Sequence, residues 1–580
     1  MADKKIDVDC IEHVDQVLVD EAGRIQRLPV PSDDPNDPLS FALWEKTGIV
    51  VCCCWFSIMS LSVIGGLGSV LDVFFQMYGA EGHSTNQVVW LSTFPSLFVG
   101  IGNYIILPLA LVCGRRPVML IANTVLLGSL IGCALSQNWA QHFGLRILLG
   151  FATGATESLL PLMLAEVTFI HQRGTIYGIY WATQNIVTSL LTLASSYEVA
   201  ALGWRWFYWV FVITVAVGLV LVVFACFETR FQRRPIFVGD HAVVTDQYGV
   251  TRVLTAPETQ EYLASEEGRS YADLAGDTPP KKTYRQMLSA WPRLCPHPLR
   301  DVLLTWWQML ETFSSPGIIY ATLLSAVILG GSVGVSLTYD TVLQYNYGWG
   351  AASIGLINLG GVFGGLGGML YAGILGDRVI VWLARRAGGV HKPEHHLLLL
   401  IFPGLLAVAS LLLYGFTASG DATWGGPFMG WTLYQVAFVS TLIRTTSFAT
   451  EAWEKNPGPA LVTVVGTKNI IGFGVSYGLN PMVAKYSYPA AMGILAGVVG
   501  GVLLLGVPVY FYNPMVTDAV DYYVDGRKVG DLQLLLRGMT VHFGGTVGCS
   551  VLPENPRFAM IRAQTRSKLP EIVNERTIVF

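Results

Sequence analysis

Twelve apolar stretches, each close to the roughly 20 residues that a helix needs to cross a bilayer, leave this chain few ways to fold. They cover 47–71, 88–111, 118–136, 144–166, 175–196 and 206–226, then 316–338, 353–375, 397–417, 428–450, 461–482 and 489–511. Two sets of six with a long polar gap between them form the hydropathy pattern of an internal duplication. The expected fold is an all-α polytopic membrane protein, with twelve transmembrane helices in two pseudo-symmetric six-helix bundles. The expected domains are an N-terminal tail (1–45), a first bundle (46–226), a central loop (227–315), a second bundle (316–512) and a C-terminal tail (513–580).

Composition agrees with this reading and excludes others. Only 13% of the 580 residues are charged and 52% are hydrophobic, which no ordinary soluble domain matches. A net charge of -4 gives no basic excess to neutralise a phosphate backbone, so nucleic acid is not an expected partner. The nine cysteines show no disulfide or metal spacing, no nucleotide-phosphate cradle occurs, and no cofactor or metal is expected. The 1–45 segment lacks a basic start and an apolar core, so it reads as a tail and not a signal peptide.

Orientation follows from the short loops. Arg115, Arg116, Arg173, Arg378, Arg385, Arg386, Lys392 and Lys455 fall on one side, whereas Arg205 and Lys485 fall on the other. The positive-inside rule places the first side, both termini and the central loop in the cytosol. Within that loop, Trp291 to Leu310 is rich in Trp and Leu and reads as an amphipathic helix on the inner leaflet or as a plain linker.

A charge in the bilayer core costs at least about 2.5 kcal/mol, so those kept inside a span call for a reason. The fourth span carries Arg146 near its outer end, Glu157 at mid-depth and Glu166 at its inner edge. Arg146 and Glu157 lie three turns apart on one face, with Gly150 and Gly154 between them leaving room for a close partner or a cavity. Glu157 is the leading candidate for proton exchange or for pairing with a cationic substrate. In the fifth span Tyr177, Trp181, Gln184 and Thr188 form one stripe suited to cation–π and amide contacts with an amine or planar molecule, or simply to packing. Glu451 and Arg444 share a face of the tenth span, Lys468 in the eleventh is a partner for Glu451 or for an anion, and Asn103, Asn358 and Asn480 are pocket or packing candidates. His395 and His396 read as hydrated loop residues. The glycines of the eighth span, Gly360 to Gly368, read as a packing or bending surface.

Several short motifs then coincide: Gly114-Arg115-Arg116-Pro117 after the second span, Arg146-x-x-x-Gly150-x-x-x-Gly154, Arg173-Gly174, and Gly373-x-x-x-Asp377-Arg378 at the symmetric place in the second half. Together with Asp34-Pro35-Asn36-Asp37-Pro38 before the first span, they resemble the major facilitator superfamily. The nearest likeness is to its fungal twelve-span drug:proton antiporter branch, polyamine-transporter-like group included. Two features depart from the pattern. Leu107 and Leu111 stand where the superfamily loop motif has Gly and Asp, and the fifth span lacks the antiporter Gly-Pro signature. The resemblance implies a non-enzymatic, monomeric, plasma-membrane carrier that takes a small organic solute, cationic or amphipathic, across by alternating access with proton coupling. Export of drugs or secondary metabolites and uptake of polyamine-like nutrients are both open, and a membrane nutrient sensor is the rival class. The resemblance also puts helices 1, 4, 7 and 10 around one cavity, which makes Asp72 a partner for Arg146. It assigns Arg115, Arg116, Asp377 and Arg378 to an inner gate.

Overall fold

A computed structural model of the chain describes residues 34–67, 71–231, 236–238, 241–245, 251–254, 259–260, 263, 280–289, 298–386, 392–420, 423–453 and 457–527. Among the described residues, ten helices are long and apolar enough to cross a membrane. In chain order with two more polar long helices they are α1 (Leu43–Gly66), α2 (Thr85–Cys113), α3 (Arg115–Leu135), α4 (Trp139–Glu166), α5 (Ile170–Leu202), α6 (Trp204–Ala225), α7 (Pro316–Asn346), α8 (Gly355–Arg386), α9 (His395–Thr417), α10 (Gly425–Glu451), α11 (Pro457–Tyr486) and α12 (Tyr488–Asn513). The chain is a multi-pass membrane protein built of twelve long helices. α5 and α10 are the two that fall short in apolarity, because they carry much of the polar interior described below.

Local signals fix the starts of several helices. Ser84 caps α2 in a reciprocal pair with Gln87, and the Asn138 side chain accepts the Gln141 N–H at 2.9 Å to open α4. Pro316 stands in the first turn of α7, where its missing N–H costs nothing.

Packing repeats between the halves. In the first, α1 lies against α5, and α2 and α3 against α4; in the second, α7 lies against α11, and α8 and α9 against α10. The halves meet along two equivalent seams, α2 with α11 and α5 with α8. Small residues allow these approaches. Gly361 and Gly365 of α8 face Ser189 and Ile186 of α5, while Gly360, Gly364 and Gly368 face Thr432, Gln435 and Val439 of α10. Within the first half, a Cβ on Gly150 would lie 2.8 Å from Pro95 Cα, and one on Gly154 would lie 2.8 Å from the Gly102 carbonyl carbon. Both obstacles are backbone. Gly150→Ala should therefore destabilise the protein by at least the 1–3 kcal/mol typical of overpacking, about, read as a lower melting temperature in detergent.

Two elements differ from the sequence reading. The central loop holds a short antiparallel sheet, β1 (Ile236–Val238), β2 (His241–Thr245) and β3 (Thr251–Leu254), with Val243 opposite both Ile236 and Val253. The all-α description thus holds for the membrane body and not for that loop. The expected amphipathic segment forms a helix at Pro298–Thr312, later than its start at Trp291, which lies outside the described residues.

Candidate functional site

Between the halves lies a cavity of about 210 Å³. Its wall comes from α1 (Leu61, Ile64), α2 (Ser92, Ser96), α5 (Trp181, Gln184, Thr188), α7 (Ser332, Ser336), α8 (Asn358), α10 (Trp431, Gln435) and α11 (Asn469, Ser476), with Glu157 of α4 at its deep end. From the level of Glu157 it extends toward the end of α1 remote from Arg115.

Glu157 is 5% exposed and tied to the other half of the protein. Lys468 Nζ of α11 stands 3.0 Å from its Oε1, and Asn469 Nδ2 donates to its Oε2. Lys468 also lies over the Trp181 ring, 5.3 Å from the centroid. An acid of α4, a base of α11 and an aromatic of α5 thus form one buried cluster beside the cavity. The Coulomb energy of such a pair grows as water is excluded, which is what offsets the desolvation of both ions. Lys468 therefore does not serve Glu451.

Of the α5 stripe, Trp181, Gln184 and Thr188 line the cavity; Tyr177 is fully buried beneath it and its hydroxyl points to the Pro161 carbonyl at 3.4 Å. Asn103 is away from the wall, and its Nδ2 donates to the Val99 carbonyl of its own helix at 2.9 Å. Three polar atoms of the wall are buried without a hydrogen-bond partner: Trp181 Nε1, Trp431 Nε1 and Gln435 Oε1. Trp431, Gln435 and Asn469 went unnoticed in the sequence, although Trp431 and Gln435 stand four residues apart on one face of α10.

Arg146 faces carbonyl groups. Its Nη1 donates to Val63 O at 2.8 Å, its Nη2 to Ile64 O at 3.4 Å and its Nε to Leu91 O at 3.0 Å. The first two are end carbonyls of α1, left without helical partners. The third is freed because Pro95, four residues on, has no N–H to give. Arg146 thereby caps α1 and mends α2. Asp72 sits in the helix Leu71–Ala80, and its side chain lies outside the described residues.

At the opposite end of the cavity the basic loops form two related ion pairs. Arg115 Nη2 meets Glu166 Oε1 at 2.6 Å, and Thr229 Oγ1 donates to Glu166 Oε2 at 2.5 Å. The Glu228 carboxylate accepts the backbone N–H groups of Arg115 and Arg116 at 3.0 and 3.2 Å. Arg116 gives Nη2 to the Val223 carbonyl at 2.8 Å. Arg116 also gives Nη1 to the Leu288 carbonyl; of these partners Glu166 and Val223 belong to the first bundle and Glu228 and Leu288 to the central loop. In the second half Asp377 Oδ1 accepts from Arg444 Nη2 at 3.2 Å, repeating the arrangement with the charges exchanged. Asp377 reaches across, its Oδ2 accepting from Thr175 Oγ1 of α5 at 2.7 Å. Arg378 is exposed. Glu451 pairs with His396 Nε2 at 2.9 Å, away from the cavity, and both His395 and His396 are buried instead of hydrated. Among the described residues no three His, Cys, Asp or Glu side chains are placed to hold a metal ion.

Leu107 and Leu111, the positions that depart from the loop motif, are buried in a cluster with Leu162, Met309 and Val462. An apolar contact between α2 and α11 thus occupies the place of the missing acidic latch.

Two bundles related by repetition, with a cavity walled by both and carrying polar groups in a largely apolar lining, define a carrier architecture. The model of the Major Facilitator Superfamily matches residues 48–454, and the chain belongs to that superfamily. An uncharacterized MFS-type transporter of Schizosaccharomyces pombe is 26% identical over 70% of this chain and 73% of its own length. The MFS-type transporter atr4 of Stereocaulon alpinum is 25% identical over 80% and 75%. Protein HOL1 of Saccharomyces cerevisiae is 22% identical over 84% and 89%. In fold the chain is similar to the human organic anion transporter MFSD10, with a TM-score of 0.52 at 14% identity over 80% of this chain and 100% of that one.

Proposed function

We propose that this protein is a secondary active transporter that moves a small amphipathic organic solute across a membrane by alternating access, with a proton taken up at Glu157. The observation that carries this reading is the cavity walled by both halves, with a buried ion pair joining those halves at its deep end. A proton on Glu157 removes the attraction to Lys468 and so weakens the tie between α4 and α11. A solute ammonium would compete for the same carboxylate, which is how a cationic substrate and the pair can share the site.

The wall speaks to the rest of the solute. Two indole N–H groups and one amide oxygen are buried without partners, and each such group costs about 1–3 kcal/mol until it is satisfied. A solute with acceptors for Trp181 and Trp431, a donor for Gln435 and an apolar body for the ring faces satisfies all three. We assign the chain to the fungal drug:proton and polyamine-like branch on its motifs; a relative named as an efflux pump, from Floropilus chiversii, favours export. With that assignment we place a monomer in the plasma membrane, with cytosolic termini on the Arg115 side, the side on which the basic loop residues collect.

The test is flux in proteoliposomes under an imposed pH gradient of either sign, using a panel of tritiated amphipathic amines and polyamines. Gradient-driven accumulation is expected for at least one amine, and the sign of the effective gradient gives export or import. Trp181→Phe and Trp431→Phe keep an aromatic face, though a smaller one, and lose the N–H groups. Each should raise KM about tenfold, the factor for a hydrogen bond of about 1.4 kcal/mol. Folded protein that carries none of the panel would favour the sensor.

A further inference from the structure

The helix Pro298–Thr312 is built inside out for a soluble segment. Only Thr305, Met309 and Thr312 are buried, whereas Leu299, Leu303, Leu304, Trp306, Trp307 and Leu310 are exposed, Leu299 to 80% and Leu310 to 63%. Water would not favour such a face. The helix packs on α2 and α11, which also expose apolar side chains, Ile105 and Leu109 of α2 and Ile470 of α11. Trp306 and Trp307 are the residue type that settles at the membrane–water boundary.

Its buried edge lies across the joint between the halves. Trp306 Nε1 donates to the Tyr104 carbonyl of α2 at 2.9 Å, and Thr312 Oγ1 bonds Thr463 Oγ1 of α11 at 2.7 Å. Thr463 Oγ1 in turn donates to the Met309 carbonyl at 3.1 Å. The Met309 side chain completes the cluster of Leu107, Leu111, Leu162 and Val462, next to a direct bond between Tyr104 and Thr467 of 2.5 Å. The C-terminal half of the helix therefore bridges α2 and α11.

We propose that Pro298–Thr312 is a lipid-seated clamp: its outer face rests in the acyl-chain boundary of the leaflet on the Arg115 side, and its inner edge closes the α2–α11 seam there. Met309 does with van der Waals contact what an acidic latch at the Leu107–Leu111 positions would do with charge. Opening toward the Arg115 side then requires the helix to release one of the two helices it holds. The clamping half of the proposal rests on the transport reading given above; the seating in lipid does not.

The experiment uses the full chain, with native cysteines replaced, in phosphatidylcholine liposomes. A fluorophore on L303C should be quenched by phosphatidylcholine spin-labelled on its acyl chain, and one on K392C, in an exposed loop, should not. Equal quenching at both sites, or self-quenching between L303C labels on separate copies, would overturn the lipid assignment. For the clamp, V462C is buried at the seam, and its reaction with an impermeant maleimide from the Arg115 side should be slow. Met309→Ala should speed that reaction about tenfold, within the range of ordinary conformational coupling. The double variant L303Q/W307Q changes only exposed residues, so the buried contacts and the fold stay intact, and it should also speed labelling if lipid holds the clamp in place. Unchanged labelling in both variants would overturn the clamp whether or not the protein transports.

Discussion

Glu157→Gln is expected to abolish gradient-driven flux and, separately, to lower the stability of the protein. The two effects have different causes and can be pulled apart. Glutamine keeps the shape of the side chain and can still accept from Asn469, but it leaves Lys468, whose side chain is 1% exposed, without a counter-charge. Stranding one member of a buried ion pair typically costs about 3–5 kcal/mol. A second change, Lys468→Met, removes the stranded ammonium and puts an apolar chain of similar length against Trp181, so the double variant should melt near the parent. If the carboxyl were there only to hold α4 to α11, restoring stability would restore coupled flux. If it carries the proton, the double variant should be stable and still uncoupled, with downhill exchange of solute retained. A stable double variant that concentrates solute against a pH gradient would remove Glu157 from the coupling step.

How much of this could be read in the residues depended on the range of the interaction involved. The twelve helices were legible because a bilayer forces every backbone group to be paired within its own segment, so span length and apolarity are written locally. The polar stripe on α5 was legible for the same reason, since helical spacing alone puts Trp181, Gln184 and Thr188 on one face. The partner of Glu157 was not. Lys468 lies in the other half of the chain, and nothing local distinguishes it from a partner for Glu451. Arg146 shows a signal that was present but passed over: Pro95 must orphan the Leu91 carbonyl, and a buried arginine is well suited to a group of such acceptors. Asp72 is not needed to explain its position. The two leucines that break the loop motif read as a loss, whereas in three dimensions they join Met309 and Val462 from distant segments. The small sheet at 236–254 escaped notice because its strands are only 3, 5 and 4 residues long, too short for an alternating pattern to stand out.

A wedge at one end of the α5–α8 seam should shift the protein between its two states. Near the Arg115 side, Gly178 faces Gly373 so closely that a Cβ would lie 3.1 Å from the Gly373 Cα. At the other end of the same pair of helices, a Cβ on Gly355 would lie 3.1 Å from Ser196 Oγ and 3.2 Å from Leu193 Cδ1. Gly178→Val presses on backbone that cannot turn aside, so its cost of about 1–3 kcal/mol falls on whichever state closes that end. In a static bundle this would appear only as lost stability. In a molecule whose halves rock, the same strain is relieved by parting the seam at the Arg115 end, and the population moves by about 5- to 150-fold. Labelling of S96C, on the cavity wall, from the remote side should then slow, and labelling of V462C from the Arg115 side should quicken. Gly355→Val wedges the far end and should change both rates in the opposite sense, by less, because Ser196 and Leu193 are side chains that can yield. Two wedges that moved the rates in the same direction would show that the α5–α8 contact is fixed packing and that alternation, if it occurs, happens elsewhere.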